Sequence, residues 1–242
     1  ATAGFVRHPS GLTFRTYILD KRQHQAERLK RGVWEASEQT FIVNAFKSDP
    51  NCTRPVFIDG GAAFGFYSLL AAFHSPCREV QAFNPHPLFA ECMKQNIDDN
   101  VRSGVLRAPK ICINQLALAG REGMTKIDFG YDAKVANMTN MSFIPVPVRM
   151  TSLDAWAEQH LPGDKQILLV KLDIEGKEVE ALGGATKLLQ GCRVKFWAIG
   201  IHYPETRSLR SVVATLTKNG YRILSSSRNA RGQPNGEVLA QC

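Results

Sequence analysis

The sequence predicts an α/β fold: a mostly parallel, doubly wound sheet with helices on both faces. Three observations predict it. Short apolar runs alternate with helical stretches along the chain, the pattern of β-α-β units. One such run, Val56-Phe57-Ile58, ends in Asp59 and turns through Gly60-Gly61-Ala62-Ala63 into an apolar helical stretch over 64–74, FGFYSLLAAFH. Strand, small-residue turn and helix in that order place a ligand at the carboxyl end of the strand. The most apolar run, ILLVKL at 167–172, reads as a buried central strand and also ends in an acid, Asp173.

The other elements follow in order. Residues 13–19 suit a short strand, and KRQHQAERLKRG over 21–32 a basic helix. Over 34–47, Trp34, Thr40, Phe41 and Ala45 fall at helical spacing, which predicts a helix covering one edge of the sheet. Residues 48–54 form a polar loop. EVQAF at 79–83 is the second core strand, stopped at Asn84-Pro85-His86-Pro87 because proline cannot continue a ladder. A helix over 88–101 presents Leu88, Phe89, Cys92, Met93 and Ile97 on one face. ICINQLAL at 111–118 is a third strand and 125–129 a further short one, while 131–143 is polar, Met-rich and aperiodic, a loop. IPVPVRM at 144–150 is extended, and its prolines predict an edge position. Ser152 caps a short helix running to His160. After the central strand come a helix over 177–190, a strand over 194–201 halted at His202-Tyr203-Pro204, a helix over 209–219 closed by Gly220, and a strand over 221–225. Residues 1–50 thus read as an N-terminal, largely helical extension packed on the core, 51–228 as the core domain and 229–242 as a polar tail.

With 242 residues, 44% of them hydrophobic and 21% charged, a large single core is expected. No apolar run approaches the ~18 residues that span a bilayer. No leader is visible, and the start at Ala1 leaves an upstream segment open. The net charge of +8 eases encounters with nucleic acid, acidic glycans or membrane surfaces, or simply solvates a basic face. The six cysteines include no C-x-x-C pair, which disfavours zinc; their even number permits disulfides, and Cys92 and Cys112 fall within regular elements as core candidates. Three N-x-[ST] sequons, at Asn51, Asn137 and Asn140, exceed the roughly one expected by chance and tilt the reading toward the secretory pathway, with the cytoplasm otherwise.

The first turn has the spacing D-x-G-x-x-x-G through Asp59, Gly61 and Gly65. It is neither the G-x-G-x-x-G of a dinucleotide site nor a phosphate loop with G-K-[ST]. Gly61 is expected to let a ligand approach the backbone and Gly65 to let the helix pack on the strand. The first helix amides lack internal partners and attract a carboxylate or phosphate.

Three segments together carry a resemblance: Asp59 to Gly65, then Phe83-Asn84-Pro85, then Lys171-Leu172-Asp173-Ile174-Glu175-Gly176-Lys177-Glu178. They resemble the FkbM-type methyltransferases, in which a V-D-x-G-A-N-x-G turn is followed by F-E-P and K-x-D-x-E-G-x-E. The likeness covers roughly residues 56–225. It implies a class I methyltransferase fold, Rossmann-like and seven-stranded, with S-adenosyl-L-methionine as cofactor and O-methylation of a hydroxyl on a sugar or small metabolite. Asp59, Gly60, Gly61, Ala62, Phe64, Gly65, Asn84, Pro85 and Asp173 are the implied cofactor-binding residues. This chain departs from the family pattern at Asn84, where the usual residue is Glu, at Ala63, usually Asn, and at Gly200, often Glu.

The chemistry of the residues agrees with that reading. S-adenosylmethionine carries no phosphate and needs no phosphate loop. Its carboxylate suits the helix amides, its ammonium suits Asp59, and its ribose diol suits the residue ending the second strand. Methyl transfer to a hydroxyl needs alignment and a proton acceptor. Asp173 at the end of the central strand is the candidate base; Glu175 can orient the acceptor, Lys171 can pair with either acid, and His202 can act at the rim. The alternative for Lys171, Asp173 and Glu175 is a network that holds the turn. The expected partner is a small-molecule or glycan acceptor, an anionic one included. Nucleic acid ranks last, because neither an aromatic-rich basic groove nor an N-P-P-Y string is present. No metal site is expected, with Asp173, Glu175 and His202 the ligands to check. A non-catalytic scaffold on the same fold is the second reading, favoured by Asn84, Ala63 and Gly200.

Overall fold

The computed structural model describes residues 4–15, 23–32, 35–127, 145–163, 165–202, 205–228 and 236–242. The loop expected over 131–143, Trp34, Tyr203, Pro204 and the sequons at Asn137 and Asn140 lie outside them. The elements run β1 (Phe5–Arg7), β2 (Thr13–Arg15), α1 (Gln23–Lys30), α2 (Ala36–Lys47), β3 (Val56–Gly60), α3 (Phe66–His74), β4 (Glu79–Phe83), α4 (Pro87–Arg102), β5 (Lys110–Asn114), β6 (Ala117–Leu118), β7 (Gly123–Ile127) and β8 (Val146–Thr151). There follow α5 (Leu153–His160), β9 (Ile167–Leu172), α6 (Glu178–Gly183), α7 (Thr186–Leu189), β10 (Val194–Ile201), α8 (Glu205–Lys218), β11 (Arg222–Arg228) and β12 (Gly236–Gln241).

Seven strands form the main sheet in the order β11-β12-β10-β9-β3-β4-β5, and β12 runs antiparallel to both neighbours. The order reverses between β3 and β9, the switch point at which open α/β sheets bind ligands. β9 is buried at every residue, as a strand covered on both faces must be. Phe57 of β3 joins Phe14, Phe46 and Leu69 on one face; Val56 and Ile58 join Trp156, Leu188 and Trp197 on the other. Each such side chain contributes roughly 1.5–3 kcal/mol by leaving water, so this double core dominates the stability.

The N-terminal residues attach by side chains as much as by backbone. Asn96 and Asn100 of α4 accept the backbone amides of Arg15 and Thr13 at 3.0 and 2.9 Å, hanging the β1–β2 hairpin on that helix. α2 buries Glu38, Ile42, Ala45 and Phe46, and packs over β9, β10 and β12. It therefore covers a face of the sheet and not the expected edge, because its apolar stripe is wide enough to need one.

Other expectations are corrected. The strand expected over 111–118 breaks, because the Asn114 carbonyl accepts the amides of both Leu116 (2.8 Å) and Asn84 (3.1 Å). The turn passes Ala117–Leu118 to a separate sheet of order β6-β8-β7. β8 is the middle strand there and not an edge; β6 pairs only at Met150 and Thr151, which leaves the Pro147 stretch paired on one side, as proline requires. The helix expected over 177–190 breaks at Gly183 and Gly184, where a Cβ on Gly184 would meet Ala119 O at 2.7 Å. Leu88 is exposed, since the buried stripe of α4 runs through Cys92, Met93, Asn96 and Asn100. The stretch expected as a polar tail ends in β12, whose Val238, Leu239 and Ala240 are buried.

Four cysteines pair, Cys52 with Cys77 and Cys192 with Cys242, at Cα separations of 6.2 and 5.7 Å. Cys92 is buried in α4, whereas Cys112 is exposed on β5, contrary to its expected core position. No helix among the described residues is long and apolar enough to cross a membrane.

Candidate active site

The carboxyl edges of β3, β4 and β9 are laced together by backbone. The Asp173 amide donates to Gly60 O at 3.0 Å, and the amides of Gly61 and Ala62 both donate to Phe83 O at 3.0 Å. At Gly61 (φ +79°) a Cβ would fall 1.9 Å from Asp173 O. The glycine is needed because two protein turns touch, a different reason from the expected approach of a ligand. At Gly65 (φ +90°) a Cβ would meet Met93 Cγ at 2.6 Å, so its close packing is against α4 and not the strand. Ala62 and Phe64 are buried beside it.

Asp59 turns inward and is fully buried. Its Oδ2 accepts the Ser68 hydroxyl at 2.6 Å, and the Ser68 amide also donates to it. An acid thus occupies part of the α3 N-terminus. Burial raises its pKa against the opposing pull of Lys171 and Ser68, and Oδ1 has no hydrogen-bond partner among the described residues. Lys171 is buried behind the turn with Nζ 3.3 Å from Asp173 Oδ2 and 5.1 Å from the centroid of the Tyr67 ring. Burial would lower its pKa, but Asp173, Glu38, Asp59 and Glu35 outweigh it and keep Lys171 charged. The Tyr67 hydroxyl lies 2.9 Å from Glu35 Oε2 and 3.2 Å from Glu38 Oε2. Burial pushes the Glu38 carboxyl well up, against the opposing pull of Lys171.

Asp173 faces the open edge. Burial would raise its pKa, and Lys171 and then His202 overcome that and lower it, so Asp173 is ionised. His202, at the end of β10, sets Nδ1 2.8 Å from Glu178 Oε1 and Nε2 3.4 Å from Asp173 Oδ1; Glu175 Oε2 is 3.8 Å away. Burial alone would lower the His202 pKa; the Glu178 hydrogen bond and the charges of Asp173, Glu178 and Glu175 hold it up to about 9. His202 is therefore an imidazolium at neutral pH. Glu178 Oε1 also accepts the amides of Ile174 (3.0 Å) and Gly176 (3.2 Å), which fixes the turn that follows β9. Glu175 in that turn adopts φ +55° and is 89% exposed.

Across the edge, Asn84 Oδ1 accepts the His86 amide at 2.8 Å and is committed to its own turn. Beside it lies a hollow of about 250 Å³ lined by Pro85, Pro87, Gln115, Met124, Val146 and Arg149, among others.

The methyltransferase FkbM domain, as a family, matches residues 59–223. The chain belongs to the FkbM methyltransferase family. Its fold aligns with the FkbM methyltransferase of Methylobacillus flagellatus KT at a TM-score of 0.55 and 12% identity, over 93% of this chain and 55% of that one. This chain thus spans little more than half that structure's length. It aligns also with magnesium protoporphyrin IX methyltransferase of Synechocystis PCC 6803 with bound S-adenosylmethionine, at a TM-score of 0.50 and 13% identity, over 89% and 82% of the two chains. Both likenesses show the class I methyltransferase fold. No curated protein matches the sequence.

On this FkbM framework the structure brings Lys171, Asp173, Glu175 and His202 together, with Gly60 and Gly61 beside them. Asp59 contacts the cluster from behind, and Asn84 and Pro85 sit on the far side of β3. Sequence reasoning missed Glu178 as a site residue although it closes the third motif, and missed Glu35, Glu38 and Tyr67 altogether. Glu38 was detectable: it shares the helical stripe of Ile42, Ala45 and Phe46, and an acid on an apolar stripe needs a partner. Among the described residues Asp173, Glu178 and His202 bring ligand atoms within 4.8 Å of one another, so Glu178, not Glu175, completes the set a metal would use. The family departure at Gly200 has a local reason: a Cβ there would lie 3.1 Å from Asp173 Oδ1 and 3.3 Å from His202 Cε1, so glycine leaves room for their contact.

Proposed function

We propose that the protein is an S-adenosylmethionine-dependent O-methyltransferase acting on a hydroxyl of a sugar or small metabolite. The observation that carries this is the convergence of Asp173, His202 and buried Lys171 at the carboxyl edge, beside the Gly60–Gly61 turn at the sheet's switch point. The residues fit the cofactor: Asp59, with an unpartnered buried Oδ1, supplies negative charge behind the turn, and Asp173 and Glu175 supply it in front, which suits a ligand bearing an ammonium and a sulfonium. The side chain of Asn84, its oxygen already engaged, offers its amide nitrogen to the ribose. Pro85 and Gln115 provide a wall and a hydrogen-bonding amide for the adenine.

When bound, the cofactor supplies an electrophilic methyl group. Asp173 would accept the proton of the acceptor hydroxyl. Lys171 keeps Asp173 ionised and aimed, and the imidazolium of His202 donates to the acceptor oxygen or to Asp173, fixing the line of approach. A charged His202 cannot itself be the base at neutral pH.

Calorimetric titration with S-adenosylmethionine and S-adenosylhomocysteine tests the reading. Micromolar binding, followed by methyl transfer in a screen of glycans and hydroxylated metabolites, is the expected result, and Asp173→Asn should remove transfer while the fold is retained. A folded chain that binds neither compound at millimolar concentration overturns it. The scaffold reading, which the uncharged Asn84 favours, would then hold.

A further inference from the structure

We infer that Asn51 is an N-glycosylation site and that the chain folds in an oxidising, glycosylating compartment. The sequon Asn51-Cys52-Thr53 lies in the turn before β3, with Asn51 and Thr53 both exposed. Asp49 organises the turn: Oδ1 accepts the Thr53 amide at 2.9 Å and its hydroxyl at 2.6 Å, and Oδ2 accepts the Arg54 amide at 2.9 Å. None of these bonds uses the Asn51 side chain. An exposed polar turn with a free-standing carboxamide is the kind of surface that carries a bulky, solubilising oligosaccharide.

The second observation is independent of the sequon. Four cysteines are brought together in two pairs, and disulfides persist in oxidising compartments and are rare where thiols are kept reduced. Cys52, the middle residue of the sequon, is itself paired with Cys77. The second pair lies close by, since Arg54 Nη1 donates to Cys192 O at 2.9 Å and to Arg193 O at 3.2 Å. Asn51 and both disulfides therefore occupy the amino-terminal edge of the sheet, opposite the edge that bears Asp173 and His202. A glycan there leaves the candidate active site open.

In the modification, the Asn51 carboxamide nitrogen attacks the anomeric carbon of a polyprenyl-pyrophosphate-linked oligosaccharide. A C–N bond forms, the anomeric C–O bond breaks, polyprenyl pyrophosphate leaves, and the amide proton passes to a base. The inference does not depend on methyltransferase activity.

The test is expression of the full chain behind a cleavable secretory leader in a eukaryotic cell, followed by amidase release of N-glycans and mass spectrometry. Trypsin does not cut Arg54-Pro55, so one fragment over 48–78 carries Asn51, Cys52 and Cys77, and reports glycan and disulfide together. The expected result is a glycan on Asn51 with Cys52 bonded to Cys77, lost in Asn51→Gln and kept in Thr53→Ser. Secreted chain whose fragment is oxidised but unmodified overturns the inference. Because the transfer precedes folding, chain retained inside the cell is read in the same way, and an unmodified Asn51 there overturns it as well.

Discussion

Two residues at the carboxyl edge hold conformations that their side chains disfavour. Ala63 and Glu175 have φ of +47° and +55°, a region that costs a residue with a Cβ about 1–2 kcal/mol and that Asn tolerates better. The family's usual Asn at position 63 thus has a backbone reason, which the sequence alone did not disclose because φ is not written in it. Ala63→Asn should raise stability by about 0.5–1 kcal/mol, seen as a rise of a few degrees in Tm; a fall would mean that the amide is too large for the buried turn. His202 supplies a pH signature. Its folded pKa, about 9, lies above the ordinary histidine value of 6.5, so its stabilisation is complete below pH 6.5 and is lost as pH rises through 9. Urea titrations should show wild-type stability declining by about 1–3 kcal/mol across that window, and His202→Gln should flatten the decline. An unchanged slope in the variant would remove the imidazolium from its ion-pair role.

At the scale of elements, α2 shows how much of the site is built from outside the three motifs, and the 49–54 turn how the opposite edge of the sheet is held. Burial raises the Glu38 carboxyl on α2, and Glu38→Gln, which keeps its shape and a hydrogen-bonding group, should cost less stability than truncation. Glu38→Ala, which strips a partner from Tyr67, should cost about 1–3 kcal/mol by chemical denaturation. Equal losses in the two variants would show that the charge of Glu38, and not its hydrogen bond to Tyr67, carries its contribution. In the turn, Asp49 is paired at 3.0 Å with a fully buried Arg78, and although burial opposes it, bonds from Thr53, Arg54 and Arg78 hold the acid at about 2. Removing the acid leaves an uncompensated cation, so Asp49→Ala should cost about 3–5 kcal/mol. The core strands and the order of elements were legible because their apolar runs are long and bounded by acids, glycines or prolines. The missed contributions came from side chains whose meaning depends on a neighbour remote in sequence: Glu38 beside Tyr67, Asn96 under Arg15, Glu178 beneath His202. Asn84 follows β4, and because its Oδ1 accepts the His86 amide, aspartate is the acid that fits there. Asn84→Asp keeps that acceptor, adds the charge that the family uses, and should tighten cofactor binding about tenfold by calorimetry.

At the scale of the whole molecule, the two disulfides and the candidate active site lie on opposite edges of one sheet, so the means of holding the chain together is separated from the chemistry. The Cys192–Cys242 bond closes a loop of 50 residues, a length for which a cross-link contributes about 2–4 kcal/mol through the unfolded state. β12, which it anchors, lies between β10 and β11 although it follows both in sequence. A chain emerging from the ribosome therefore presents the unpaired edge of β10, and then β11 with no neighbour, until residues 236–241 arrive to fill the gap. During synthesis the half of the sheet beyond β9 stays open to other strand edges, and its closure waits on residues 236–241.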